Sequence, residues 1–500
     1  MKKIIPSIFL FFFFQQIFAQ TINGEVLYSD DQFEVIVVHG THSERGYAVG
    51  FLLADRIADI FNSYLLPAFG SYYETGRMLI QTDAHISIDD DYKTEAEAMA
   101  DAINDAGVME MEVDYVDILL ANSFLDLQNF VGKDLGLDNG CSSFINWGEA
   151  TQGTSLNGTP VISRHLDWSN QQAIIRNQVL VVHIPSEENL QPWLLIGFAG
   201  QMSVLSGLNA SGVAVMQHVL SDVNASASFS KGYEPIWFSL RKAIECDDFN
   251  NDGNNDALDI DSVAMQNHYG YADSYIITGV AGSYIGENER AATIIEVAPA
   301  SPYATVRNTD YDDNIPGTNL YAANYAIARN NAQHYCTRYN GVKNNMGDGT
   351  MIGIEENWNI MLDYSSMCAL HTSGNIQFMQ YIPSLHELRL SYHTLDGDQA
   401  CENEAVIFDT DVLFQLNSNI SAEKPGQLAG VIYTTGNSVF IKLPHGVATD
   451  TLKIYNSSGI MVQSFQVVDG INYFARSELM PGMYIMHLTN CRLTSKTILD

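Results

Sequence analysis

Apolar positions along this chain change period more than once. Residues 25–38 alternate and then run apolar through Phe33, Val35, Ile36, Val37 and Val38, which predicts a strand. From Thr41 the period becomes helical, with Tyr47, Phe51, Leu52, Ile57, Ile60 and Phe61 on one face. Thr41 and Glu44 have capping-box spacing, so the helix is expected to start there. Further helices are expected over 94–106 and 114–130. Beyond Cys141 the texture turns to short β-branched or aromatic runs at 142–146, 160–167, 179–184, 193–198 and 213–218. Asn157-Gly158 reads as a hairpin turn between the first two. A helix is expected over 234–245, and strands resume at 274–279, 291–297 and 320–325. Helical signal returns at 331–339 and 354–362, before strands at 376–382 and 387–392. Strands adjacent in sequence imply antiparallel pairing and an α+β fold.

The two ends have their own patterns. Lys2 and Lys3 precede an apolar run over 4–14, broken only by Pro6 and Ser7, and Ala19 stands before Gln20. This reads as a secretory signal over 1–19, too short to span a bilayer, so the mature chain is expected to be soluble and exported. Near the other end, strands at 439–443, 451–455, 461–467 and 483–488 alternate with turn clusters such as Asn456-Ser457-Ser458-Gly459 and Pro481-Gly482. They predict a small β-sandwich over 425–500, after a polar boundary at 402–426. Between the ends lie an α-rich segment, 20–140, and a strand-rich one, 141–405.

Composition adds limits. An apolar fraction of 46% suits packed cores. With 59 acidic and 24 basic residues the net charge is −35, which repels phosphate backbones and argues against a nucleic-acid partner. Solubility or adaptation to salt accounts for such acidity. The six cysteines, Cys141, Cys246, Cys336, Cys368, Cys401 and Cys491, show no CxxC and no metal spacing. Export permits disulfides, and the pairing stays open. If Cys141 is a free nucleophile, five remain, so at least one more is unpaired.

After the 234–245 helix comes an acidic loop. Counted from Asp248, oxygen-bearing Asn250, Asp252, Asp256 and Asp259 fall at positions 3, 5, 9 and 12, with Gly253 at 6 and Asn254 at 7. That is the spacing of an EF-hand-like calcium loop, with Asp in place of Glu at the last position. A structural calcium ion is therefore expected. The same composition also suits a polar surface insertion.

The chemistry centres on Asn139-Gly140-Cys141-Ser142. Cysteine attack needs a thiolate or an adjacent base. A chain that cut its own Gly140–Cys141 bond would give Cys141 a free amine, with a reference pKa of about 8, beside its thiol. No triad histidine is then required, and His218, His334 and His371 read as structural. The site still needs an anion to orient the ammonium or thiol, and donors for the developing oxyanion. Asp167 in Arg164-His165-Leu166-Asp167-Trp168 is a candidate for the first role; Arg164, off strand alternation relative to Asp167, could reach the site across a bend. The Asn324 amide is a candidate for the second.

Gly140-Cys141-Ser142 followed by Ser163-Arg164-His165-Leu166-Asp167-Trp168 resembles the N-terminal-nucleophile cysteine amidases: penicillin acyltransferase-like peptidases, choloylglycine (bile salt) hydrolases, and acid ceramidase with N-acylethanolamine acid amidase. The run Ser43-Glu44-Arg45-Gly46-Tyr47-Ala48-Val49-Gly50 is similar to the opening of the acyltransferase-like branch. Asn324 with Arg338 resembles a later Asn/Arg pair of the ceramidase-like branch. The resemblance spans residues 34–395 and implies a four-layer αββα sandwich that cleaves itself between Gly140 and Cys141 into two chains. It implies Cys141 as nucleophile, Arg164 and Asp167 as orienting groups, Asn324 in the oxyanion hole, Arg338 in support, and no cofactor for catalysis. After Gly212-Val213-Ala214-Val215 that family presents Asn or Glu, where this chain has Gln217 or His218. The C-terminal pattern around Leu452-Lys453-Ile454-Tyr455-Asn456, Pro481-Gly482-Met483-Tyr484 and Lys496 resembles a type IX secretion sorting domain, implying outer-membrane export and a secreted or cell-surface location. The expected activity is hydrolysis of a linear, non-peptide amide such as an N-acyl amino acid, fatty amide or β-lactam-related compound. Acyl transfer to an amine, or a non-enzymatic binding role on a decayed scaffold, are the alternatives.

Overall fold

The computed structural model describes residues 22–30, 32–131, 140–220, 226–282, 290–307, 315–329 and 336–416, and in the C-terminal part 431–435, 438–443, 449–456, 461–468, 471–475, 479, 482–489 and 494–499. The expected signal segment 1–19, Asn139, His334 and Cys491 lie outside the described residues.

Fifteen strands build the main body: β1 Gly24–Ser29, β2 Phe33–Gly40, β3 Cys141–Asn146, β4 Val161–Asp167, β5 Gln178–Pro185, β6 Trp193–Phe198, β7 Ser206–Asn209, β8 Ala214–Val219, β9 Tyr275–Val280, β10 Ala292–Val297, β11 Ala304–Arg307, β12 Asn319–Ala322, β13 Asn375–Ile382, β14 Glu387–Tyr392 and β15 Val406–Asp409. They form a nine-stranded sheet, β1-β2-β5-β6-β7-β8-β9-β10-β11, and a six-stranded sheet, β12-β3-β4-β13-β14-β15. Neighbours are antiparallel, as adjacency in sequence implies, apart from β2 and β5, which run parallel. Between β2 and β5 the chain passes through the N-terminal helices, the kind of long crossover that parallel pairing requires.

Side-chain alternation sorts the core. On the nine-stranded sheet Ile36, Val38, Val179, Val181, Leu195 and Val215 pack with the N-terminal helices. Their neighbours Val35, Val37, Leu180, Val182, Leu194 and Met216 meet Ile145, Ile162, Leu320, Met379 and Leu390 of the six-stranded sheet. The far side of that sheet carries Phe144, Tyr321 and Phe378 against Tyr339, Val342 and Met361 of helices Thr337–Asn345 and Ile354–Tyr364. Both faces of the central strands are buried, so they read as apolar runs instead of alternating.

Thr41 caps helix His42–Leu52 in a full capping box with Glu44. The helix expected over 114–130 is two, Tyr115–Asn122 and Phe124–Val131, separated at Ser123. The break has a tertiary cause. The Asn122 carboxamide oxygen accepts from Met202 N at 2.8 Å and from the Ser203 hydroxyl at 2.7 Å, tying the chain to the β6–β7 connection. Asn157 and Gly158 both have positive φ, so the turn read there has left-handed backbone, within the longer link between β3 and β4. Cys368 and Cys401 form a disulfide, and among the described residues Cys141, Cys246 and Cys336 are free. In the C-terminal part, a three-stranded and a four-stranded sheet carry a separate cluster that includes Ile441, Leu452, Ile454, Met486 and Leu488. Among the described residues no helix is long and apolar enough to cross a membrane.

Candidate active site

Cys141 is the first residue of β3, buried, and paired in register with Leu166 of β4. The antiparallel pairing sets the ends of β3 and β4 side by side, which brings Arg164 and Asp167 close to the Gly140–Cys141 bond. Arg164 lies on the face toward the nine-stranded sheet. Its guanidinium donates to Ser206 Oγ at 2.6 Å and to the Gln217 carbonyl at 2.8 Å, and stands 3.6 Å from Cys141 Sγ. Asp167 approaches on the other side. Its N–H donates to the Gly140 carbonyl at 2.8 Å, and its carboxylate accepts from Arg338 at 3.2 Å and from Asn375 Nδ2 at 2.8 Å. The alternation that separates Arg164 from Asp167 is therefore real: Arg164 reaches Cys141 Sγ from one face, while Asp167 reaches the Gly140 carbonyl through its backbone N–H.

Asn324 follows β12 and closes the site. Its Oδ1 accepts from the Cys141 backbone N–H at 2.8 Å and from Arg338 Nη2 at 2.7 Å, and its Nδ2 donates to the Val219 carbonyl at 2.7 Å. Arg338 thus bridges Asp167 and Asn324. A Cβ placed on Gly140 would come within 2.9 Å of both terminal nitrogens of Arg338, which gives a steric reason for glycine before the cysteine.

Burial dominates the electrostatics. It pushes the Cys141 thiol up, opposed mainly by the Arg164 guanidinium. It raises the Asp167 carboxyl to about 6, against the lowering effects of Arg338 and Asn375. His165, between the key residues of β4, is held down to about 3 by burial and is therefore neutral; it stacks on Phe378.

Gln217 and His218 part company. His218 faces the inter-sheet space, where Nε2 contacts Ser143 Oγ at 2.9 Å and Thr278 Oγ1 at 3.3 Å; burial holds it well below its ordinary pKa. Gln217 points the other way. Its Oε1 accepts from Trp237 Nε1 at 3.1 Å, and its buried Nε2 has no hydrogen-bond partner among the described residues.

An apolar pocket of about 720 Å³, part of it open to solvent, is lined by Tyr64, Phe124, Trp168, Leu205 and Trp237 among others, which belong to the same buried apolar cluster as Cys141. Trp168 follows Asp167 and Leu205 precedes Ser206 in the chain, and Trp237 Nε1 donates to Gln217 Oε1, while Cys141, Arg164, Asp167 and Asn324 do not themselves line the pocket. Sequence reasoning missed Asn375, Ser206 and Tyr64. The last accepts from Trp168 Nε1 at 2.9 Å. Asn375 alone left a trace in the sequence, a polar residue after Gly374 at the head of an apolar strand.

The acidic loop is elsewhere. Asp248 accepts from Asp252 N and Gly253 N at 3.1 and 2.8 Å, folding the turn that Gly253 permits with φ +93. Asp259 accepts from Phe249, Asn250 and Asp256 backbone N–H groups, and Asp256 caps a helix, Ala257–Gln266, that the sequence reading did not foresee. Among the described residues no three His, Cys, Asp or Glu side chains converge on a metal position. The donors are all hard oxygens, as calcium prefers, and buried Asp256 Oδ2 has no hydrogen-bond partner among the described residues.

No protein-family model matches the chain, and no curated protein matches it. Among solved structures, the chain is similar to a Caenorhabditis elegans N-acylethanolamine-hydrolyzing acid amidase ortholog: 15% identity and a TM-score of 0.34, covering 49% of this chain and 94% of that one. It is also similar to two variants of the conjugated bile acid hydrolase from Clostridium perfringens, at 10% and 11% identity and a TM-score of 0.31, covering 53% of this chain and 96% of each.

Proposed function

We propose that the chain is a cysteine amidase that frees its own nucleophile by cutting between Gly140 and Cys141, then hydrolyses a linear, non-peptide amide with an apolar acyl part. One observation carries the reading: a single peptide bond is gripped at both ends. Asp167 N–H polarises the Gly140 carbonyl and Asn324 Oδ1 holds the Cys141 N–H, while the thiol of that same residue lies beside Arg164.

In self-cleavage, Sγ adds to the Gly140 carbonyl carbon. The thiol proton passes to the departing Cys141 nitrogen as the C–N bond breaks, leaving a thioester and a free amine. Water hydrolyses the thioester, releasing the Gly140 carboxylate and restoring the thiol. In turnover the amine takes the thiol proton, Sγ adds to the substrate carbonyl, and the amine returns the proton to the leaving amine; water then frees the acid. Gln217 Nε2 serves as an oxyanion donor, supported by its burial without a partner. Asp167 and Arg338 orient the new amine. The apolar pocket takes the acyl part, which favours fatty amides or N-acyl amino acids among the candidate substrates.

The fold reading that accompanies this function is the four-layer αββα sandwich with a C-terminal β-sandwich, supported by the separate cores on each side of the two large sheets. The signal peptide, type IX sorting and a secreted or surface location belong to the proposal on sequence grounds. So does a structural calcium ion, on the spacing alone: Asp248, Asn250, Asp252, Asn254, Asp256 and Asp259 would hold it only after leaving the hydrogen-bonded turn they form. In mature protein a thiol-directed acyl probe is expected to label Cys141, and absence of labelling contradicts the enzymatic reading. Products formed with and without an added amine separate hydrolysis from transfer.

A further inference from the structure

The segment carrying Asn324 is held by a buried ion pair on the other sheet. β12 ends at Ala322, two residues before Asn324. Glu296, on β10, is fully buried, and its carboxylate accepts from three consecutive backbone N–H groups: Ile327 at 2.7 Å, Ala328 at 3.0 Å and Arg329 at 2.8 Å. Arg307, on β11 and also fully buried, lies 3.1 Å from Glu296 Oε1 and donates to the Tyr321 carbonyl at 3.1 Å. The pair grips the chain on both sides of Asn324. Removing two charges from water costs several kcal/mol for each ion, and such pairs rarely outperform apolar residues of the same volume in stability. Their geometry is another matter: charge-assisted bonds to successive amides fix a loop in place. Asn324 needs that fixity, because its Oδ1 must meet both the Cys141 nitrogen and Arg338.

We propose that Glu296 is a positioning residue for Cys141, acting with Arg307 to hold residues 323–329 so that Asn324 stays on the Cys141 nitrogen. Its effect on chemistry rests on the amidase reading above; the placement itself does not. Glu296→Gln keeps the side-chain shape, turns a donor toward backbone donors and leaves Arg307 unneutralised. The variant is expected to cleave itself at least about tenfold more slowly, since a shift of about 1 Å at such a site can cost 10²-fold. In the cleaved fraction kcat should fall with KM unchanged. Placed on a Cys141→Ala background, which has no thiol to react, Glu296→Gln should raise deuterium exchange across residues 140–144 at least about tenfold. Glu296→Asp keeps the charge but is one methylene short, and should fold and lose about threefold or more in cleavage. That variant decides alone if Glu296→Gln does not fold. Cleavage at the wild-type rate in a folded variant, or unchanged exchange, overturns the proposal. A wild-type chain that is never cut, with exchange still raised by Glu296→Gln, sinks the amidase reading and leaves the clamp standing.

Discussion

At the residue scale, the cluster around Cys141 is a set of buried polar groups that satisfy one another. Asn324 accepts from two donors and gives one proton to Val219; Asp167 has a cation on one oxygen and an amide on the other. Removing Asn324 leaves the Cys141 N–H and one Arg338 nitrogen without an acceptor in a buried place. Asn324→Ala is therefore expected to slow self-cleavage by about 10²-fold or more, the scale of losing one preorganised hydrogen bond at a reacting amide. A time course of band splitting on a denaturing gel reads it, and a rate within threefold of wild type contradicts the assignment. Cys141, Arg164 and Asp167, with Gly140 just before the first, were legible in the sequence because they sit on two adjacent antiparallel strands, where short spacing becomes contact. The pairing of Asp167 with Arg338 instead of Arg164 was not legible, because it depends on a helix 171 residues away. Gln217 and His218 could be told apart only once β8 had a register: consecutive residues on a strand face opposite ways, and one step decides which core each enters.

At the element scale, some strands were read to the residue, while β7, β11 and β15 were not foreseen. β6 and β14 begin and end where the apolar runs do. The break at Ser123 was hidden because its cause lies in residues 200–203. The second of the two helices, Phe124–Val131, carries a buried acid. Asp126 accepts weakly from Ile236 N–H and from the Tyr275 hydroxyl, each at 3.3 Å, and burial raises it well above the ordinary carboxylate range. The folded chain therefore binds this proton more tightly than the unfolded chain. The contribution to stability is present below the unfolded pKa of about 4 and is lost as pH rises through the folded value. Asp126→Asn removes that loss, so its melting temperature should gain on wild type as pH rises above the unfolded pKa of about 4. A constant or shrinking difference contradicts this. The acidic loop provides a second test at this scale. Calcium is expected to raise the melting temperature of wild type above its value in chelator, and Asp252→Ala should abolish most of that gain. Equal curves for the two proteins in calcium count against the ion.

At the scale of the whole molecule, residues 22–131 are woven into the rest. β1 and β2 extend the nine-stranded sheet through β5, and Glu95 of this segment meets Arg241 at 2.6 Å with both side chains fully buried. The apolar pocket takes Tyr64 and Phe124 from one side of the Gly140–Cys141 bond and Trp168, Leu205 and Trp237 from the other. Cutting that bond should leave one particle. The two pieces are expected to co-elute in native size exclusion and to separate only in denaturant, and separate native elution contradicts the interleaving. Composition announced the change from helix to strand at Cys141, yet the weave was not readable from it, because parallel pairing of β2 with β5 joins segments about 140 residues apart. On the proposed function, Cys141 is a nucleophile released by its own chain. Intact mass under denaturing conditions, taken on purified wild type and on Cys141→Ala, tests it most directly. The expected result is two wild-type polypeptides, one beginning at Cys141, and one uncut Cys141→Ala chain; an uncut wild type, or a Cys141→Ala chain still cut between 140 and 141, contradicts it.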